Sequence, residues 1–155
     1  MVTHVNIEGY ENFLTYVGSL ETETRPVYFY FGGSKTPSGA SWCPDCVEAE
    51  PVLMRFINSL KLNIIFAYVD VGNREYCPYS KVGTLFICQD LFIILFIIVT
   101  FIKVWKNLQC PFRTNPRVKL MVLPSILKWN DVKRLEGGQC ANSDLVKMMF
   151  EPEDD

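Results

Sequence analysis

A cysteine pair separated by two residues, Trp42-Cys43-Pro44-Asp45-Cys46, lies at the junction of two segments with different periodicity. Before it, Pro26-Val27-Tyr28-Phe29-Tyr30-Phe31 is an unbroken apolar run of strand length. After it, Val47, Met54, Phe56, Ile57 and Leu60 recur at helical spacing and predict an amphipathic helix. A C-x-x-C between a strand and a helix reads as a redox dithiol.

The spacing carries a chemical expectation. Proline suits the first turn of a helix, where its missing N–H is no loss, so Pro44 places Cys43 at the N-cap. There the sulfur can accept from the free N–H groups of Asp45 and Cys46 and faces the positive end of the helix dipole. Both effects favour the thiolate, which is the reactive form. Cys46 lies about one turn further in and is expected to be more buried. Cys43 is then the attacking sulfur, and Cys46 resolves the mixed disulfide. Asp45 opposes this in part, because a carboxylate beside a thiolate raises its pKa and repels anionic partners.

Other uses of cysteine fit less well. A zinc knuckle needs a second pair or spaced histidines, whereas Cys77, Cys88, Cys110 and Cys140 form no second C-x-x-C and His4 is the single histidine. No metal is expected. The first residues show no basic region followed by an apolar one, so no signal peptide is expected and the cytosol is the default compartment. Thiols there stay mostly reduced. A net charge of −2 without a basic stripe argues against a nucleic-acid surface.

The stretch Gly32-Gly33-Ser34-Lys35, a Gly/Ser/Pro loop, then Ser41-Trp42-Cys43-Pro44-Asp45-Cys46-Val47-Glu48-Ala49-Glu50-Pro51 resembles the family of fourteen-kilodalton thioredoxin-related proteins, also called the thioredoxin domain-containing protein seventeen family. Leu123-Pro124-Ser125-Ile126-Leu127-Lys128-Trp129 resembles that family's cis-proline loop and following strand. The likeness covers residues 5–76 and resumes at about residue 111. It implies a single cytosolic thioredoxin-fold domain that reduces protein disulfides and cystine and is recharged by thioredoxin reductase and NADPH. Peroxide removal and modulation of inflammatory signalling are further family attributes. No bound cofactor is implied beyond the redox-active disulfide Cys43-Cys46. By the same resemblance Cys43 is the nucleophile, Cys46 the resolving cysteine and Pro124 the cis-proline. Trp42, Pro44 and Leu123 are read as framing the substrate groove beside it; the plain alternative for Trp42 is a packing aromatic.

The strand before the dithiol departs from ordinary thioredoxins, which keep a buried Asp there; 27–31 offers no carboxylate. Glu50, four residues after Cys46 and on the same helix face, is one candidate for a proton relay, and Asp45 is the other. The plain alternative for Glu50 is a solvated helix charge. Lys35, Thr36, Ser38 and Ser41 line the groove on a functional reading and supply turn chemistry on a structural one.

The rest of the chain completes the pattern. Residues 4–7 read as a first strand, and Tyr10, Phe13, Leu14 and Val17 as a helix face. Residues 63–71 form an apolar run suited to a central strand covered on both faces. Residues 126–129 and 132–135 read as a hairpin, and Asn142 or Ser143 caps a last helix holding Leu145, Val146, Met149 and Phe150. The acidic tail 151–155 is expected to be solvated. The fold class is α/β: a mixed sheet with helices on both faces and an insertion between the third strand and the cis-proline strand.

That insertion, residues 82–109, contains the run LFIILFIIVTFI from Leu91 to Ile102. The run is shorter than the roughly 20 residues a membrane span needs. A span would also separate the dithiol from Pro124. An inserted helix and an extra, aggregation-prone strand are alternatives. The favoured hypothesis is translated intron, from a retained intron or a gene-model error. Lys81-Val82 is codable with a splice-donor pattern and Gln109 with an acceptor pattern, and removing 28 of the 155 residues leaves 127, close to the family's length. If it is real, membrane contact or self-association through 91–102 is expected. The function expected from the dithiol and the resemblance is a disulfide reductase. The competing readings are a redox sensor or signalling adaptor using the same dithiol, and a membrane-associated thioredoxin-like protein.

Overall fold

The computed structural model describes residues 1–73 and 109–151. Cys77, Cys88 and nearly all of the apolar insertion 82–109, including 91–102, lie outside the described residues. So do the last four residues of the acidic tail.

Five strands form one sheet in the order β1-β3-β2-β4-β5. They are β1 (Thr3–Glu8), β2 (Val27–Gly32), β3 (Ile65–Asp70), β4 (Ser125–Lys128) and β5 (Arg134–Glu136). β3 is parallel to both β1 and β2, while β4 runs antiparallel to β2 and to β5. Helix α1 (Gly9–Ser19) follows β1, α2 (Pro44–Ser59) follows β2, a single turn α3 (Pro111–Thr114) precedes β4, and α4 (Ser143–Phe150) closes the chain. This is the expected mixed sheet covered on both faces.

β2 is buried along its whole length, as a central strand must be. Its alternation sorts the two cores. Val27, Phe29 and Phe31 join Phe13 of α1, Phe112 of α3, and Ala67 and Val69 of β3. Tyr28 and Tyr30 face the other way, with Leu53 and Ile57 of α2, Phe66 of β3, and Val146, Met149 and Phe150 of α4.

Several details differ from the periodicity reading. The buried stripe of α2 is Cys46, Ala49, Leu53 and Ile57, whereas Val47 and Met54 are exposed. The dithiol sets this phase: Cys46 must point inward, and small Ala49 lets the helix approach the sheet. Leu14 on α1 is also exposed, leaving Phe13 to fill the core. Val132 is 94% exposed because β5 begins two residues later, so Val132 sits in the hairpin turn. A 3₁₀ segment, Gly137–Ala141, links β5 to α4. Asn142 caps α4 as expected, its side chain accepting from the N–H groups of Asp144 and Leu145.

Candidate functional site

The two cysteines stand at the end of the sheet where β2 passes into α2. Cys43 is the N-cap of α2 in extended conformation, with Pro44 in the first turn. Its Sγ accepts from the Cys46 backbone N–H at 3.4 Å. The carbonyl of Leu123 lies 3.7 Å from the same sulfur, and the Leu123–Pro124 peptide is cis. Cys43 is 5% exposed and Cys46 is fully buried.

The loop between β2 and α2 is a folded turn that fixes these positions. Lys35 bridges to Ser41, and the Thr36 N–H donates to the Ala40 carbonyl at 2.8 Å. Thr36 and Ser38 share a hydroxyl contact of 2.7 Å. Ser41 is buried; its hydroxyl donates to the Gly33 carbonyl and accepts from the Cys43 N–H, which holds the N-cap in place. Trp42 donates through Nε1 to the Gly72 carbonyl at 2.8 Å. Its indole lies directly against Gly33, where a Cβ would stand 2.6 Å from the ring, so residue 33 has no room for a side chain. Ser34 and the Gly72 N–H both bind Asp70 Oδ1, tying the loop to the end of β3.

Electrostatics divides the two thiols. The Cys43 pKa is lowered to about 7, first by the hydrogen bond from the Cys46 thiol and then by backbone N–H groups; burial and the Asp45 carboxylate oppose this. Cys46 is pushed upward, first because its S–H serves the Cys43 sulfur and then by burial. One sulfur is thus a thiolate near neutral pH, and the other is held as its proton donor.

Of the two relay candidates, Asp45 is exposed. Glu50 is partly buried and accepts from the Tyr68 hydroxyl at 3.0 Å, with Lys35 Nζ 3.5 Å from its other oxygen. Cys140 is buried at the back of the cis-proline turn, its thiol donating to the Pro124 carbonyl at 3.6 Å and pushed up to about 12, chiefly by burial. Burial likewise raises Cys110. Among the described residues no group of side chains forms a metal site, and no helix is long and apolar enough to cross a membrane.

Sequence reasoning passed over one residue. Tyr30 on β2 is completely enclosed, and its hydroxyl has no hydrogen-bond partner. Its sequence signal was an aromatic in an apolar run, and only the strand register shows which way it faces.

Comparison with known proteins bears on the family and the fold. A family profile described as "Thioredoxin domain-containing protein 17-like, thioredoxin domain" matches residues 6–86 and 87–152. The chain is 31% identical to thioredoxin domain-containing protein 17 of Mus musculus over 146 residues, covering 94% of this chain and 93% of the relative. The Homo sapiens protein of the same name is 30% identical over the same length. Thioredoxin-like protein Clot of Arabidopsis thaliana is 26% identical over 149 residues, covering 92% of this chain and 89% of that one. The fold matches the crystal structure of a reduced Schistosoma mansoni thioredoxin pre-protein with a TM-score of 0.50 at 12% identity, covering 96% of this chain and 99% of that one. The chain therefore belongs to the thioredoxin domain-containing protein 17-like family and carries its thioredoxin-like redox domain.

Proposed function

We propose that the chain is a cytoplasmic disulfide reductase acting on cystine and exposed protein disulfides, recharged by thioredoxin reductase and NADPH. The observation that carries this reading is the placement of Cys43 Sγ: at a helix N-cap, with its pKa near 7 and against the carbonyl of Leu123.

The exchange runs in two steps. The Cys43 thiolate attacks one sulfur of the substrate disulfide; a Cys43–substrate bond forms and the other substrate sulfur leaves as a thiolate that takes a proton. Cys46 then loses its proton and attacks Cys43. The internal disulfide forms, and the second substrate sulfur leaves as a thiol. The substrate gains two electrons and the Cys43-Cys46 pair loses them. The donor supplied by thioredoxin reductase and NADPH reverses that oxidation. Backbone at Leu123 and Pro124, together with Trp42 and Pro44 flanking Cys43, frames the edge against which an extended substrate aligns. Reduction of peroxide by the same thiolate is a second activity within this reading.

NADPH consumption by the full chain with thioredoxin reductase and cystine tests it. Turnover that disappears in Cys43→Ser is expected. Stoichiometric oxidation without turnover would instead favour a redox sensor, and dependence on detergent or vesicles would favour a membrane-associated protein.

A further inference from the structure

Among the described residues, the Tyr30 hydroxyl is the buried side-chain oxygen left without a partner. An enclosed, unsatisfied hydroxyl destabilises a core, and phenylalanine would fill the same space without that penalty. β2 places phenylalanine at its two neighbours, Phe29 and Phe31, and tyrosine here.

The surroundings hold the ring firmly. Tyr30 packs on Tyr68 with centroids 5.1 Å apart. A Cβ on residue 32 would stand 2.8 Å from the Tyr30 ring and 2.9 Å from the Tyr68 hydroxyl, so Gly32 is what lets both tyrosines converge. Tyr68 donates to Glu50, and Lys35 lies beside that carboxylate, so the acceptor nearest in kind is already engaged. The charged and titratable groups around Tyr30 are Cys46 and Glu50 from α2, Tyr68 from β3 and Lys35 from the loop; Asp70 and His4 stand further along the same cleft. Of the polar side chains, Cys46 acts on Tyr30 most strongly.

We propose that Tyr30 is a positioning residue for the resolving step: its hydroxyl donates a hydrogen bond to Cys46 Sγ as that sulfur becomes a thiolate. This deepens the reductase reading and rests on it. In the reduced dithiol the Cys46 thiol serves Cys43, and the Tyr30 hydroxyl makes no hydrogen bond of full geometry, although it already lies close enough to the Cys46 sulfur to favour its thiolate form. Once Cys43 is bonded to substrate, Cys46 must lose its proton to attack. The Cys46–Cys43 bond forms, the Cys43–substrate bond breaks, and the proton given up by Cys46 ends on the departing substrate thiol. Tyr30 keeps its own proton throughout. The Gly33 N–H, which also favours the Cys46 thiolate, is the second donor.

Ellman's reagent separates the steps. Mixed with the reduced full chain in a stopped-flow instrument, it releases one nitrothiobenzoate as Cys43 attacks and a second as Cys46 closes the ring. Cys46→Ser identifies the second phase by abolishing it. In Tyr30→Phe the first phase should be unchanged and the second slowed roughly tenfold or more, the loss of a hydrogen bond to a charged group. The pH of its half-maximal rate should move upward. A second phase identical in rate and pH profile to that of the parent would overturn the proposal. Absence of the first phase in the parent would overturn the reductase reading, and the role of Tyr30 with it. Tyr30→Phe should fold at least as well as the parent; a collapse of the fold, read by circular dichroism, would show that the hydroxyl supports structure and would equally overturn the proposal.

Discussion

The two faces of β2 do different work with nearly the same side chains. On the α1 face, Phe29 and Phe31 meet Phe13 edge-on, at centroid distances of 5.3 and 5.6 Å, and Phe112 closes the cluster 5.7 Å from Phe13. Those rings carry no polar atom, and the face is held by burial and edge-to-face packing. On the α2 face, the residues in between are Tyr28 and Tyr30, and β3 adds Tyr68. Here hydroxyls come within reach of Glu50 and Cys46. One face is closed by phenylalanine rings, with Cys43 and Cys46 in the same cluster; the other carries the tyrosine hydroxyls that approach the dithiol helix.

Substitutions can break this division. Phe29→Ala should cost about 3–5 kcal/mol of stability by opening a cavity in the phenylalanine cluster. Urea denaturation would measure that loss, and the Cys43 pKa in the folded fraction should stay near 7. Gly33→Ala forces the Trp42 indole away from its seat and should cost about 1–3 kcal/mol. Tryptophan emission should change with it, because the Nε1 bond to Gly72 is disturbed. Asn142→Ala removes the cap of α4 and should cost about 1 kcal/mol with the dithiol untouched. A thermal midpoint lowered together with an altered Cys43 reactivity would show that α4 and the site are not independent.

The smallest effect is the most specific. Asp45→Asn removes a charge that raises the Cys43 pKa, so the midpoint of Cys43 alkylation should fall by roughly 0.3–0.5 pH. The linkage has a definite sign. A Cys43 pKa below its unfolded value of about 9 contributes stability that is fully present above pH 9 and is lost as pH falls through about 7. Cys43→Ser removes that contribution.

How far the sequence reached follows from the same contrast. The dithiol, its N-cap geometry and the Asn142 cap are local, written in a few neighbouring residues, and they could be read directly. The position of Pro124 beside Cys43 joins residues 80 apart and came from family likeness. On the helix face expected for α2, Ile57 is buried and Phe56 and Leu60 pack against the core, whereas Val47 and Met54 are exposed because the inward placement of Cys46 and Ala49 turns those two positions to solvent. Phe112, Val118 and Leu120 are buried core residues from a stretch with no helical or strand period, so no pattern marked them. Tyr30 was invisible for a different reason: its significance depends on a missing partner, which only packing reveals.

The central claim is that Cys43 is the poised sulfur and Cys46 its protected partner. The rate of iodoacetamide labelling against pH, with the modified cysteine identified by peptide mass, tests it most directly. Cys43 should label with a midpoint near pH 7 while Cys46 stays unmodified. A midpoint near the ordinary thiol value, or equal labelling of Cys46, would contradict it.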